Sequence, residues 1–142
     1  TGKHAPESLL PKFAAPVPGA VNLALLHTSL AGAAGHDNYA PCTVAELTGL
    51  GFDYWALGHV HSYELVHESP WIAFSGNVQG RSVRETGEKG CLLVAADGEG
   101  ALDIDFCPLD VVRWAVISAD VAQAVDGEEV IDSVRKRLKC FG

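Results

Sequence analysis

Three histidines stand where metal chemistry would want them. His27 follows the apolar run Val21-Asn22-Leu23-Ala24-Leu25-Leu26, and His59 and His61 follow Asp53-Tyr54-Trp55-Ala56-Leu57-Gly58. Each run has the length of a short buried strand. Ligand sites in open α/β sheets gather outside the carboxyl ends of the strands, so the three rings are expected at one sheet edge. Imidazole is a good ligand for zinc, manganese and iron. Gly58 is expected to turn the backbone and admit a ligand, so that His59 and His61 reach neighbouring ions. The alternative is three unrelated histidines, each satisfied by a backbone carbonyl. Gly-His-x-His after one strand, with a third histidine after another, favours the metal reading.

A second candidate runs from Gly76 to Arg84. Asn77, Gln79, Arg81 and Arg84 are donors on a glycine-rich loop, and guanidinium pairs well with phosphate. A surface hairpin with solvated arginines is the alternative. Trp55 and Trp71 lie inside apolar runs and are expected in the core, not as base-stacking platforms. Asp97-Gly98 suits a hairpin turn. His36 is a weak candidate for a supporting or substrate role, and His4 and His67 show no partner pattern. Arg135-Lys136-Arg137 suits a solvated helix end better than a DNA patch.

The elements that must position these residues follow from local pattern. Glu7 to Ala14 is helix-like but interrupted by Pro11, which allows one short helix. Residues 28–42 form a loop. Thr43, with Glu46 three residues on, makes a capping box for a helix over Val44–Leu50 that Gly51 closes. Strand, loop, helix, strand from 21 to 58 is the grammar of an α/β layer fold. Beyond it, Tyr63–Val66, Trp71–Phe74, Cys91–Ala96, Leu102–Phe106 and Arg113–Ser118 predict an antiparallel meander. Leu102, Ile104 and Phe106 alternate with Asp103 and Asp105, as a half-exposed strand does. Glu128–Leu138 predicts an amphipathic helix with the stripe Val130, Ile131, Val134 and Leu138. Residues 1–110 are expected to form one unit, with 111–142 a last strand and helix that begin an accessory, capping module.

Leu25-Leu26-His27, Tyr54-Trp55-Ala56-Leu57-Gly58-His59-Val60-His61 and Phe74-Ser75-Gly76-Asn77-Val78-Gln79-Gly80-Arg81 together resemble the C-terminal motifs of calcineurin-like metallophosphoesterases. The branch they are most similar to is that of the SbcD-like DNA repair exonucleases. His36-Asp37-Asn38-Tyr39-Ala40-Pro41-Cys42 fits the same branch, and the resemblance covers residues 20 to 118. It implies the C-terminal half of a layered β-sandwich flanked by helices, with a mostly antiparallel second half. It also implies two divalent ions, manganese in the nuclease branch, with His27 and His59 on one and His61 on the other. Two ions roughly 3.5–4 Å apart activate the attacking water and neutralise charge developing on phosphate. The family's upstream motifs Asp-x-His, Gly-Asp-x-x-Asp and Gly-Asn-His-Asp/Glu are absent from these 142 residues. They carry the bridging aspartate and the general acid, so the chain alone is expected to be inactive. Ser75 stands where proline is commoner.

The implied function is metal-dependent phosphodiester hydrolysis, as an exonuclease acting on DNA ends in repair. The alternatives are a phosphoesterase for a nucleotide or phosphoprotein, and an inactive structural or interaction fragment. An ATPase subunit is the partner the family implies; a homodimer is a further expectation.

Composition bounds these readings. Hydrophobic residues make up 48% and charged residues 20% of the chain, which excludes a disordered or collagen-like polymer. Ten basic against 18 acidic residues give a net charge of −8. That excludes a surface built wholly as a nucleic-acid cradle, and leaves room for a site where metal ions supply the positive charge. No apolar run reaches the roughly 18 residues that span a bilayer. The start leads into no apolar h-region, and Met is absent throughout. A processed or partial cytoplasmic chain is therefore expected. Cys42, Cys91, Cys107 and Cys140 form no Cys-x-x-Cys pair and are expected as reduced thiols.

Overall fold

The computed structural model describes residues 6–30, 39–97 and 100–140. His4, His36 and Gly98, singled out from the sequence, lie outside them.

The chain folds as α/β, with one mixed four-stranded sheet and a separate antiparallel pair. β1 (Leu23–His27), α1 (Val44–Gly49), β2 (Tyr54–Gly58), β3 (Glu64–Glu68) and β4 (Trp71–Phe74) build the sheet in the order β1-β2-β4-β3. β1, β2 and β4 run parallel, and β3 returns antiparallel beside β4. β2 and β4 are the inner strands, which is why their sequences are apolar on both faces. β5 (Gly90–Ala96) and β6 (Leu102–Pro108) pair through seven registered positions.

α1 begins as its sequence dictates. The Thr43 hydroxyl accepts the Glu46 N–H at 3.2 Å, and Glu46 Oε2 accepts the Thr43 N–H at 2.7 Å. Leu47 is the fully buried residue of this short helix. It joins Ala24, Leu26, Trp55, Leu57, Ile72 and Phe74 in the core. Strand register lines up the strand residues across the sheet: Trp55 lies between Ala24 and Ile72, and Leu57 between Leu26 and Phe74. Phe13 closes the cluster, its ring 5.1 Å from that of Trp55.

Four expectations change. The segment after residue 62 is not a continuous meander, because the apolar strand β4 is drawn between β2 and β3 rather than left half-exposed. Arg113–Ser118 forms no strand; residues 109–114 are fastened by side chains instead. The N-terminal helix shrinks to a 3-10 turn, Leu10–Lys12, since Pro11 has no N–H to donate and disfavours a helical residue before it. The final helix, α2 (Gly127–Lys139), forms with an Asp126 cap, but it buries none of its residues. Among the described residues no helix is long and apolar enough to cross a membrane, and the four cysteines are free thiols.

Candidate metal and phosphate site

The parallel pairing of β1 and β2 decides where the first two histidines go. His27 and Gly58 are register partners at the carboxyl ends of these strands. The next residue, His59, brings its Nδ1 to 3.4 Å from His27 Nε2. The rings stand nearly perpendicular, at 88° with centroids 5.3 Å apart.

The turn itself differs from the sequence expectation. His59, not Gly58, takes the unusual backbone, with φ 119°. That region is costly for a residue with a Cβ, and such strain persists where the surroundings enforce it. Gly58 serves by being small: a Cβ there would lie 3.1 Å from His27 Nδ1. Glycine therefore makes room for one ring while histidine absorbs the turn.

Tyr39 completes this corner. Its ring lies edge-on to His27 at 5.1 Å and stacks over His59 at 6.4 Å. Ser29 holds Tyr39 in place: its hydroxyl accepts the Tyr39 N–H at 2.9 Å, and its backbone N–H donates to the Tyr39 carbonyl at 2.8 Å. Buried Thr28 donates to the Ala40 carbonyl at 2.7 Å.

The residues present fit two ligands of one ion. Two nitrogens about 2.1 Å from a common tetrahedral ion sit about 3.4 Å apart, and the facing nitrogens of His27 and His59 show that separation, 3.4 Å. It is long for a well-made hydrogen bond. The set is incomplete: no group of three or more His, Cys, Asp or Glu placed to hold an ion occurs among the described residues.

His61 makes a different contact. Its Nδ1 lies 2.7 Å from Glu85 Oε1. The Arg81 N–H and the His61 hydrogen bond hold the Glu85 carboxyl below its usual range. On the backbone side, the buried Lys89 ammonium donates to the His61 carbonyl at 3.0 Å, and the Asn77 N–H donates to it at 3.4 Å. Gly76 is required here. Its φ is +74°, and a Cβ would meet the Ser62 carbonyl carbon at 2.8 Å and the Tyr63 nitrogen at 2.9 Å.

The four loop candidates divide. Gln79 spends its amide on the chain: Nε2 donates to the Val112 carbonyl at 2.6 Å, and Oε1 accepts from Val111 at 2.9 Å. Asn77 Nδ2 lies 3.5 Å from Glu85 Oε1. Arg81 and Arg84 are exposed, and neither guanidinium is in a salt bridge among the described residues. Gly80 packs against the 109–114 strap, where the Trp114 indole N–H donates to its carbonyl at 3.2 Å. Of the residues found by structure, Tyr39 lay within a quoted motif but carried no signal of ring contact. Glu85 and Lys89 carried none, since a polar residue in a charged loop reads as solvated.

No family-wide profile matches the chain. A curated relative does: over 104 residues the chain is 38% identical to YhaO of Bacillus subtilis (strain 168), described as an uncharacterized metallophosphoesterase. The match covers 72% of this chain and 25% of that protein, so the chain spans about a quarter of its relative's length. The strand-end histidines and this extended identity support one family for the chain, the metallophosphoesterases.

Proposed function

We propose that this chain supplies His27, His59 and His61 to a binuclear metal centre that hydrolyses phosphodiesters, as an exonuclease of the SbcD-like branch acting on DNA ends. The observation that carries the reading is the pair of facing nitrogens, His27 Nε2 and His59 Nδ1, 3.4 Å apart at the carboxyl ends of two parallel strands. The similarity to a metallophosphoesterase supports metal-dependent phosphoester hydrolysis as the general class.

Divalent ions, manganese by the family resemblance, would supply water activation and charge neutralisation at phosphorus. His27 and His59 would hold one and His61 its neighbour. Arg81 and Arg84, in no salt bridge among the described residues, would bind phosphate oxygens. Gln79 acts indirectly, by anchoring the loop that carries them. An ATPase subunit, a homodimer and a cytoplasmic setting belong to the same proposal. Residues 111–142, on this reading, open an accessory module.

The net charge of −8 favours a second reading, in which the substrate is a nucleotide or phosphoprotein, since binding along DNA needs clustered Lys and Arg. The test is release of nucleotides from linear double-stranded DNA, with and without manganese. The 142-residue chain should show none, and a version carrying the upstream motifs should show it. His61→Ala should lower that activity at least 100-fold, while Arg81→Ala should mainly raise KM. Turnover of small phosphoesters without DNA cleavage would move the function to the second reading. Robust cleavage by the chain alone would contradict the account of an incomplete site.

A further inference from the structure

Glu85 belongs to neither ligand set, yet it touches both the metal and the phosphate candidates. Oε1 contacts His61 Nδ1 at 2.7 Å, and Oε2 accepts the Arg81 N–H at 2.6 Å. The Glu85 side chain is 18% exposed and the His61 ring 50%. An ionised carboxylate only accepts, so in neutral His61 this contact places the proton on Nδ1 and leaves the lone pair on Nε2. Metal-binding histidines characteristically donate their second ring N–H in this way, which fixes the tautomer and orients the ring. Lys89 holds the backbone of the same residue through the His61 carbonyl. His61 is thus clamped at main chain and ring, and among the described residues its Nε2 makes no hydrogen bond.

We propose that Glu85 is a positioning residue for His61. It holds the Nδ1–H tautomer and presents Nε2 to a divalent cation. Through the Arg81 N–H it also fixes the metal ligand relative to the phosphate loop. The proposal rests on the metal reading given above. A carboxylate that merely stabilised the loop would alter stability without setting the tautomer of a ring that is half exposed.

The experiment is a long-range proton–nitrogen correlation of the imidazoles in the 142-residue chain at about pH 8, where neutral histidine dominates. Wild type, Glu85→Ala and Glu85→Gln are compared without metal and during titration with Mn²⁺, and backbone amide spectra report folding. Wild-type His61 should be the Nδ1–H tautomer. Glu85→Ala should shift it mainly to Nε2–H, and Glu85→Gln should restore it through the amide oxygen. Paramagnetic broadening of the His61 ring should need roughly 10–100-fold more Mn²⁺ in Glu85→Ala. A folded Glu85→Ala with unchanged tautomer and midpoint overturns the role of Glu85 and leaves the metal reading standing. Mn²⁺ that broadens no His61 signal in wild type overturns the metal reading and this proposal with it. If Glu85→Ala does not fold, wild type decides: His61 as Nε2–H overturns the proposal.

Discussion

His59 concentrates the chemistry and the strain of the site in one residue. Its φ of 119° belongs to a region that glycine enters freely and histidine does not. His59→Gly should therefore be more stable than His59→Ala by about 1–3 kcal/mol, although both lack the imidazole. Urea unfolding of the two variants measures the difference, and equal midpoints would mean that the turn is unstrained. The type and spacing of the histidines were legible in the sequence, because a histidine directly after an apolar run marks a strand end. The division of labour at Gly58-His59 was not. A residue type reports which backbone it tolerates, and only the packed His27 ring shows why the glycine must sit one place earlier. Glu85 was illegible for a similar reason, since its partner lies 24 positions away.

At the scale of elements, alternation along β1 separates what the chain buries from what it exposes. Leu26 is 6% exposed and Leu25, its neighbour, 77%. Leu26→Ala should cost about 2–5 kcal/mol, and Leu25→Ala should stay within about 0.5 kcal/mol. Chemical denaturation of both variants checks the register, and equal losses would contradict it. The capping box, α1 and β4 were legible because their signals are local. The sheet order was not, because hydrophobic pattern says that β4 is buried without saying beside which strand. Arg113–Ser118 carries an apolar run and so reads as a strand, but it forms none; the strap at 109–114 enters it instead. What orders it is the Arg113 guanidinium, 2.8 Å and 3.1 Å from the two Asp110 oxygens, together with Lys89, whose N–H donates to Asp110 at 3.1 Å. Arg113, then the Lys89 N–H, lowers the Asp110 pKa from its ordinary value to about 2. In the folded protein this carboxyl binds its proton less readily than in the unfolded chain. Its contribution is complete above the ordinary carboxyl range and is lost as pH falls through about 2. Asp110→Asn should flatten the acid limb of stability between about pH 4 and 2, as read from urea midpoints across that window. An unchanged limb would show that the pair does not couple folding to protons.

At the scale of the whole molecule, β1 and α2 leave apolar side chains exposed among the described residues. Leu23 and Leu25 face outward on edge strand β1, 53% and 77% exposed, and the stripe of α2 runs from Val130, 37% exposed, to Leu138, 54% exposed. The candidate metal site has the same unfinished character, with two facing histidines and no complete ligand cluster among the described residues. The sequence made that incompleteness legible through motifs it lacks, and the fold class through the order of its elements. Binding of an ion to this chain alone should accordingly be weak. The central claim is that His27 and His59 share one ion, and anomalous scattering from crystals of the 142-residue chain soaked in Mn²⁺ tests it most directly. The account predicts a partly occupied peak in contact with both His27 Nε2 and His59 Nδ1. A peak that touches neither nitrogen, or a difference map with no peak there at saturating Mn²⁺, would contradict it.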